Sequence, residues 1–443
     1  MSNTDLFSGN LFAADPFART RGPQQNPGLT SLNDGQRRAL ELLRSDHNVF
    51  LTGAAGSGKS FLVRQFLREK NTRTFPVLAS TGAAAVLVGG RTFHSFFGLG
   101  IMEGGFDATV TRGIENKRVV NRLKKTEGVI IDEVSLLSGV TLRAAETIAR
   151  QARGNDRPWG GLRVVAVGDF AQLPPVDPFR KEKDWAFLDS TWKWSEFESI
   201  VLSEIMRARG QDHFLEVLNA IRIGQVTPKA KAFLEERKSA GQIHRGKHFD
   251  GTKLFGRRID AEAYNLQRLV SLSGDDHVFE TKYTGQEKSI QDFKRHAPIG
   301  DVIRVKVGAL VMLRQNDVEG RWVNGSLGHI KKVYPNMLSI SLASGREIEI
   351  ERATFSLLNA EGLPVVSATN FPINLAYGIT IHKAQGLTVD RLLVDLKGFW
   401  EPGQAYVALS RARSAEGLYL EDWDPRSILA DPQVTRFHQA LLS

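Results

Sequence analysis

The sequence contains no cysteine. Disulfides, thiolate metal sites and cysteine nucleophiles are therefore excluded, and the chain suits a reducing compartment. No apolar run is long enough to span a bilayer, so no membrane contact is expected. The first residues, MSNTDLFSGNLFAADPF, lack a basic stretch followed by an apolar one and do not form a signal peptide pattern. Repeats and heptads are also absent. Residues 1–30 are rich in Asn, Pro, Gly and Ser and read as a flexible tail, with Phe7, Phe12 and Phe17 as aromatic points along it. What remains is a chain of 443 residues, 42% hydrophobic, with a formal net charge of +9. That length suits about three domains. The basic excess fits a polyanionic partner such as nucleic acid, an anionic membrane surface, or plain solubility charge.

From Leu32 onward, helix and strand patterns alternate. An amphipathic helix at 34–43 precedes a short apolar strand at 48–52, and further β-rich runs follow at 76–80, 128–132, 163–168 and 199–202. Helical stretches at 61–69 and 142–153 lie between them. Buried strands separated by helices predict an α/β fold with a parallel sheet, here over residues 31–205. The second half begins the same way, with a strand at 252–255 and a helix at 259–270, and α/β patterning returns at 376–380, 391–396 and 418–421. Between these, strands at 309–314, 327–334, 337–343 and 346–350 are punctuated by Asn324-Gly325, Pro335-Asn336 and Ser344-Gly345. That predicts a small antiparallel barrel at 320–367, inserted into a second α/β domain built from 206–319 and 368–443.

Gly53-Ala54-Ala55-Gly56-Ser57-Gly58-Lys59-Ser60 fits the phosphate-binding pattern G-x-x-x-x-G-K-[ST] and lies between a strand and a helix. Its glycines let backbone N–H groups curl around phosphate oxygens, and the helix N-terminus adds its dipole. Lys59 is expected to reach the β- and γ-phosphates of ATP and Ser60 to ligate Mg²⁺. The apolar strand Val129-Ile-Ile ends in Asp132-Glu133. Asp132 is expected to hold Mg²⁺ and Glu133 to polarise the attacking water. A third strand ends in Gly168-Asp169 and leads to Gln172, a candidate sensor of the γ-phosphate. Tyr406-Val-Ala-Leu-Ser-Arg411-Ala-Arg413 carries two arginines at i and i+2, which point in different directions. Arg411 is the choice for stabilising γ-phosphate charge across a cleft, with Arg207 a second candidate. Either arginine has a surface ion pair as its ordinary alternative.

Taken together, these motifs resemble the petite-integration-frequency (PIF) helicases of superfamily 1B. The resemblance rests on Leu32-Asn-Asp-Gly-Gln36, the phosphate loop, Ser80-Thr-Gly-Ala-Ala-Ala, Thr92-Phe-His-Ser-Phe-Phe-Gly98, Ile131-Asp-Glu-Val-Ser135, Gly168–Val176, Gly378-Ile-Thr-Ile-His-Lys-Ala-Gln-Gly-Leu-Thr388 and Tyr406–Arg413. Trp159-Gly-Gly161, ahead of the Gly168 motif, is similar to the family's own signature, with Trp where Phe is more usual. The resemblance implies two RecA-like domains with ATP and Mg²⁺ between them, an SH3-like insertion, and 5′-to-3′ movement on DNA. It implies that Gln36 reads the adenine edge, that Arg207 and Arg411 are arginine fingers, and that Gln385 and Gly386 approach the nucleotide from the second domain. Residues 99–127 would form a wedge that splits duplex, helped by Lys117, Arg118, Arg122, Lys124 and Lys125; the last five are equally readable as a solvated helix face. Forked or tailed duplexes, G-quadruplexes and RNA–DNA hybrids are implied substrates, and DNA repair, recombination and telomere maintenance are implied settings. The implied location is cytoplasmic and nucleoid-associated in a bacterium or phage, nuclear or mitochondrial in a eukaryote. The expected state is a monomer, or a dimer on DNA.

Single-strand binders join cationic grooves to aromatic faces. Thr92, His94, Phe96 and Phe97 in one half, and Thr380, His382 and Lys383 in the other, have that mixture. They are the expected DNA grips, one per domain. Phe96 and Phe97 read either as base-stacking faces or as core, while Phe93 reads as core. A single-stranded DNA translocase that strips proteins without unwinding is the alternative function, and it shares every ATPase motif.

Overall fold

The computed structural model describes residues 32–442, except 81–84, 86–90, 101, 103, 176–182, 204–211, 245, 318–320, 323 and 359–363. The N-terminal tail and Arg207 lie outside the described residues.

The first domain is a six-stranded parallel sheet. Its strands are β1 (Val49–Gly53), β2 (Val77–Ala79), β3 (Arg91–Thr92), β4 (Gly128–Asp132), β5 (Arg163–Val167) and β6 (Glu198–Leu202), in the order β3-β2-β4-β5-β1-β6. Every residue of β1 is buried, as expected of a strand covered on both faces. One covering helix, Asp34–Arg44, begins on a capping box in which Asn33 and Gln36 satisfy each other's backbone N–H. Another, Gly139–Arg153, is started by Ser138 and stopped by Gly154 at φ 60°. Trp159 is fully buried beneath that helix and its indole donates to Ser195 Oγ at 2.8 Å. Gly160 is required beside it, because a Cβ there would come 2.8 Å from the Ala149 carbonyl.

A second parallel sheet runs in the order Gly378–Thr380, Thr252–Phe255, Leu392–Val394, Leu418–Leu420. Between its strands in sequence sits an antiparallel unit with its own core around Val311, Ile330, Leu338, Ile340 and Phe371. It comprises a five-stranded sheet (Glu347–Glu351, Met337–Leu342, Leu327–Val333, Leu310–Leu313, Ile373–Leu375) and two smaller sheets. Its strands begin at His277–Glu280 and end at Ile373–Leu375, well outside 320–367. The early strands are short, alternate in exposure and are followed by the helix Glu287–His296, so they leave no strong apolar run in the sequence.

The last helix, Pro432–Ala440, crosses back to the first domain. Phe437 stacks on Phe187 at 4.3 Å between centroids and meets Phe170 edge-on at 5.7 Å. Trp185 donates to Asp431 at 3.0 Å in the same contact. The two α/β halves thus share one apolar cluster. No helix among the described residues is long and apolar enough to cross a membrane.

Candidate active site and nucleic-acid interface

The phosphate loop follows β1 directly. Gly53 has φ 150°, and a Cβ there would lie 2.6 Å from the Leu202 carbonyl of β6, so the loop's first turn admits glycine alone. Gly58, at φ 98°, starts the helix Lys59–Leu67. Lys59 Nζ donates to the carbonyls of Gly53 at 2.7 Å and Ala54 at 3.2 Å, so the ammonium lies across the loop's mouth. Burial pulls its pKa down, opposed by Asp169 and Glu133. Ser57 Oγ is buried without a hydrogen-bond partner, an orphan inside a loop built to present donors. Ser60, on the first turn of the helix, is exposed.

Gln36 does not present an open edge to a base. It is buried; its Oε1 accepts from Asn33 N at 3.3 Å and its Nε2 donates to Ser57 O at 3.4 Å. In this geometry the amide braces the phosphate loop, because the capping box that starts its helix turns it inward.

Asp132 ends β4, and Glu133 follows at φ 53°. This left-handed turn is uncommon for a residue with a side chain. Ser80 Oγ donates to the carbonyls of both residues, at 2.8 and 2.7 Å. Burial and the neighbouring Asp132 charge push the Glu133 carboxyl up to about 7. Burial also raises Asp132. Gln385 reaches from the second domain and donates to Glu133 Oε2 at 3.3 Å. Among the described residues no three His, Cys, Asp or Glu side chains are grouped to hold a metal alone. Ser60 and Asp132 offer two oxygens, a donor set that fits a hard divalent cation which draws its other ligands from substrate phosphates and water.

The third junction joins the domains. Asp169 is fully buried. Its carboxylate accepts from Arg222 at 2.7 Å, from the Tyr406 hydroxyl at 3.1 Å and from Ala171 N at 3.2 Å. The Tyr406 hydroxyl in turn accepts the Ala55 N–H of the phosphate loop at 2.8 Å. Arg222 also contacts His438 of the last helix. Burial alone would raise Asp169, but Arg222 and Lys59 outweigh it and hold the carboxyl low. Gln172, buried one turn on, has its carbonyl under Gly403, where a Cβ would come within 2.4 Å.

Arg411 is buried on the second domain. It donates to Val407 O at 2.9 Å, Ser410 Oγ at 2.7 Å, Ala384 O at 3.4 Å and Leu387 O at 3.5 Å. Burial lowers its pKa, and Tyr406, Glu133 and Asp169 act against that. Arg413, by contrast, is exposed and pairs with Asp390. Gly386, at φ 78°, ends the segment that carries Gln385.

The two segments expected to grip DNA have the same local form. β3 leads into Thr92, which caps the helix Phe93–Phe97 by accepting from Ser95 N at 3.1 Å. The strand Gly378–Thr380 leads into Thr380, which caps Ile381–Ala384 by accepting from Lys383 N at 3.3 Å. His382 and Lys383 are exposed, and His94 is partly so. Burial lowers the His94 and Lys383 pKa values. Phe96 and Phe97 are not stacking faces. Both are buried, 5.0 Å apart, and Phe97 packs on Phe93 and Trp159. Their helix must cover the core of the first domain, and that requirement takes both rings.

Residues 105–125 form two helices, Gly105–Glu115 and Lys117–Lys125, that contact Gly139–Arg153. Lys117, Arg118, Lys124 and Lys125 are exposed. Arg122 turns inward, donating to Ser95 O and Phe96 O and lying 5.2 Å from the Phe96 ring. It closes the C-terminal end of the Thr92 helix and leaves the exposed basic face.

Arg222, Ser80 and the Tyr406 hydroxyl were not singled out by sequence. Arg222 ends an ordinary amphipathic helix, Asp212–Arg222, and Ser80 and Tyr406 lie inside motifs whose other residues drew the chemistry.

The match to known proteins follows this geometry. The model of the PIF1-like helicases matches residues 31–232. The ATP-dependent DNA helicase Pif1 of Bdellovibrio bacteriovorus is 49% identical over 92% of this chain and 92% of its own length. The zebrafish helicase PIF1 is 33% identical over 94% of this chain and 65% of its own length. Among solved structures, a Bacteroides Pif1 in complex with ADP-AlF4 is similar at TM-score 0.78, with 30% identity over 93% of this chain and 97% of that one. The same genus supplies a Pif1 bound to single-stranded DNA, at TM-score 0.63, 30% identity and the same coverages. A chain half identical to one Pif1 helicase along nearly its whole length belongs to the PIF1-like helicase family.

Proposed function

We propose that this protein is an ATP-driven helicase that moves 5′ to 3′ on single-stranded DNA and unwinds the duplex ahead of it. The observation that supports this best is the composite site: phosphate loop, Glu133 and Gln172 on one domain, Gln385, Tyr406 and Arg411 on the other. ATP hydrolysis at such a junction is coupled to relative domain movement, and each domain carries its own Thr-capped grip.

In the proposed cycle, Lys59 leaves the Gly53 and Ala54 carbonyls and pairs with the β- and γ-phosphates. A divalent cation held by Ser60 and Asp132, when bound, supplies further positive charge to those phosphates. Glu133, raised in pKa and oriented by Gln385, accepts the proton of the attacking water. Arg411, with Arg207 as second candidate, stabilises charge at the γ-phosphate, and Gln172 reports its presence. Loss of that charge loosens the second domain, so the Thr92–His94 and Thr380–Lys383 grips alternate. The exposed lysines and Arg118 of the 105–125 helices face the duplex as the wedge. The antiparallel insertion is read as SH3-like. Forked duplex, G-quadruplex and RNA–DNA hybrid are the substrates to compare, as are monomer and DNA-bound dimer.

The test compares unwinding of duplexes with a 5′ or a 3′ single-stranded tail. Unwinding confined to the 5′-tailed duplex is expected. Preference for the 3′ tail overturns the polarity, and ATP hydrolysis indifferent to single-stranded DNA overturns the motor.

A further inference from the structure

The last helix of the chain brings a side chain to the buried Asp169 network. Asp431 caps Pro432–Ala440 by accepting from Gln433 N at 2.8 Å, and its other oxygen accepts from Trp185 of the first domain at 3.0 Å. Phe437 seats the helix among Phe187, Phe170 and Trp192. Just before the helix, Leu429 O accepts from Gly403 N at 3.0 Å, at the start of the helix Gln404–Leu409 that carries Tyr406. Ala430 lies against Gly224, where a Cβ would come 3.0 Å from Ala430 N, two residues after Arg222. Residues 429–438 therefore touch the aromatic cluster of the first domain, the Tyr406 helix and the turn after Arg222.

We propose that His438 is a positioning residue for the nucleotide site: it accepts from Arg222 and aims that guanidinium at Asp169, which holds the Tyr406 bridge to the phosphate loop. This rests on the phosphate loop being where ATP binds, as proposed above. Arg222 Nη2 faces both Asp169 Oδ1, at 2.7 Å, and His438 Nε2. A guanidinium only donates, so the His438 ring accepts through Nε2. Burial, with the Arg222 charge beside it, pulls the His438 pKa down to about 4, which leaves the ring neutral at neutral pH. Neutrality suits this place. A carboxylate here would compete with Asp169 for the guanidinium, and a cation would repel it. The imidazole holds one N–H and leaves the charge to Asp169.

Arg222 needs this second hold. Its Nε is buried without a hydrogen-bond partner, so Nη2 carries the orientation of the whole fork. An arginine side chain is rich in rotamers, and one bond to Asp169 fixes its direction poorly. Asp169 has a further duty: its other oxygen accepts from the Tyr406 hydroxyl, which accepts the Ala55 N–H. A tilt of the guanidinium turns the carboxylate and so shifts the phenol. One chain of contacts thus runs from His438 through Arg222, Asp169 and Tyr406 to Ala55 of the phosphate loop. Coupling is reciprocal: a helix that favours nucleotide binding must itself be held more firmly once nucleotide is bound.

The experiment measures KM and kcat for DNA-stimulated ATP hydrolysis by the full chain, for wild type, H438F, H438Q, Q439A, Y406F, Y406F/H438F and K59A. H438F keeps a ring but no acceptor, and Phe437 and Asp431 still seat the helix. It is expected to raise KM roughly fivefold, the share of about one hydrogen bond, with kcat within about twofold. H438Q, which keeps an acceptor, should return KM to within about twofold of wild type. Gln439 is exposed on the same helix, and Q439A should match wild type. Y406F/H438F should do no more than Y406F alone, because residues in one chain of contacts are not additive. An unchanged KM in H438F, an equal loss in H438Q or Q439A, or multiplied effects in the double variant overturns the His438 assignment and leaves the nucleotide-site reading intact. ATP hydrolysis that survives in K59A overturns that reading instead. Should H438F fail to fold, hydrogen exchange in wild type replaces it. A non-hydrolysable ATP analogue is then expected to slow exchange of the backbone amides of residues 435–441 roughly fivefold by linkage; equal exchange with and without it overturns the proposal.

Discussion

The Tyr406 hydroxyl donates to Asp169 at 3.1 Å while accepting the Ala55 N–H at 2.8 Å. One phenol from the second domain is therefore bonded to both the phosphate loop and the Asp169–Gln172 loop of the first. Removing it leaves a loop N–H and a buried carboxylate each one bond short, at a cost of about 1–3 kcal/mol. Y406F is expected to raise the KM for ATP roughly tenfold in a DNA-stimulated steady-state assay and to lower stability in urea unfolding by about 1–3 kcal/mol. A KM within twofold of wild type rules out this bridge as a nucleotide-positioning device.

Arg222 and Asp169 form a buried ion pair at 2.7 Å between elements far apart in sequence. Breaking such a pair by removing one partner costs about 3–5 kcal/mol. R222A is expected to lose that amount in urea unfolding at neutral pH. Asp169 is held below its ordinary pKa, so its stabilisation is complete above about pH 4 and is lost as pH falls through the lower folded value. D169N should therefore be less stable at neutral pH and show a flatter decline on acidification. An identical acid profile for the two proteins contradicts the sign.

The geometry of the candidate ATP half-site was legible in the sequence because it is local. A strand, a turn and a helix start deliver Lys59 and Ser60, and a strand tip delivers Asp132 and Glu133. Contacts made only by folding were not legible. Arg222 looks like any helix-terminal arginine, and its partner Asp169 lies 53 residues away. Phe96 and Phe97 have a composition that suits bases as well as core, and burial decides between those. The antiparallel insertion was seen from its hairpin turns, but its outer strands, His277–Glu280 and Lys282–Gly285, are half exposed and show no apolar run.

The buried rings give a direct contrast. Phe97 is fully buried among Phe93, Phe96 and Trp159, so F97A should cost about 3–5 kcal/mol of stability by cavity formation. F96L, which keeps most of the volume, should leave single-stranded DNA affinity within about twofold, whereas loss of a stacked base costs about 1–3 kcal/mol. Fluorescence anisotropy with a short oligonucleotide reads the difference. A tenfold loss in F96L restores the stacking reading.

Arg411 and Arg413 lie two residues apart and separate function from surface charge. Arg411 is buried and feels the charges of Glu133 and Asp169, while Arg413 is exposed on Asp390. Exposed pairs contribute about 0–1 kcal/mol, so R413A should leave turnover within about twofold. An arginine finger is worth about 10³-fold or more in turnover. R411A confounds that loss with unfolding, because Arg411 also ties together the carbonyls of Ala384, Leu387 and Val407. R411K separates the two effects: it keeps a charge on the helix but not the planar fork that meets phosphate oxygens. Single-turnover ATP hydrolysis, with nucleotide affinity measured alongside, should show R411K binding ATP near normally and hydrolysing it at least a hundredfold more slowly, an order of magnitude set by the same arginine-finger scale. If R411K hydrolyses at the wild-type rate, the γ-phosphate charge is met by another residue, and Arg207 becomes the residue to substitute.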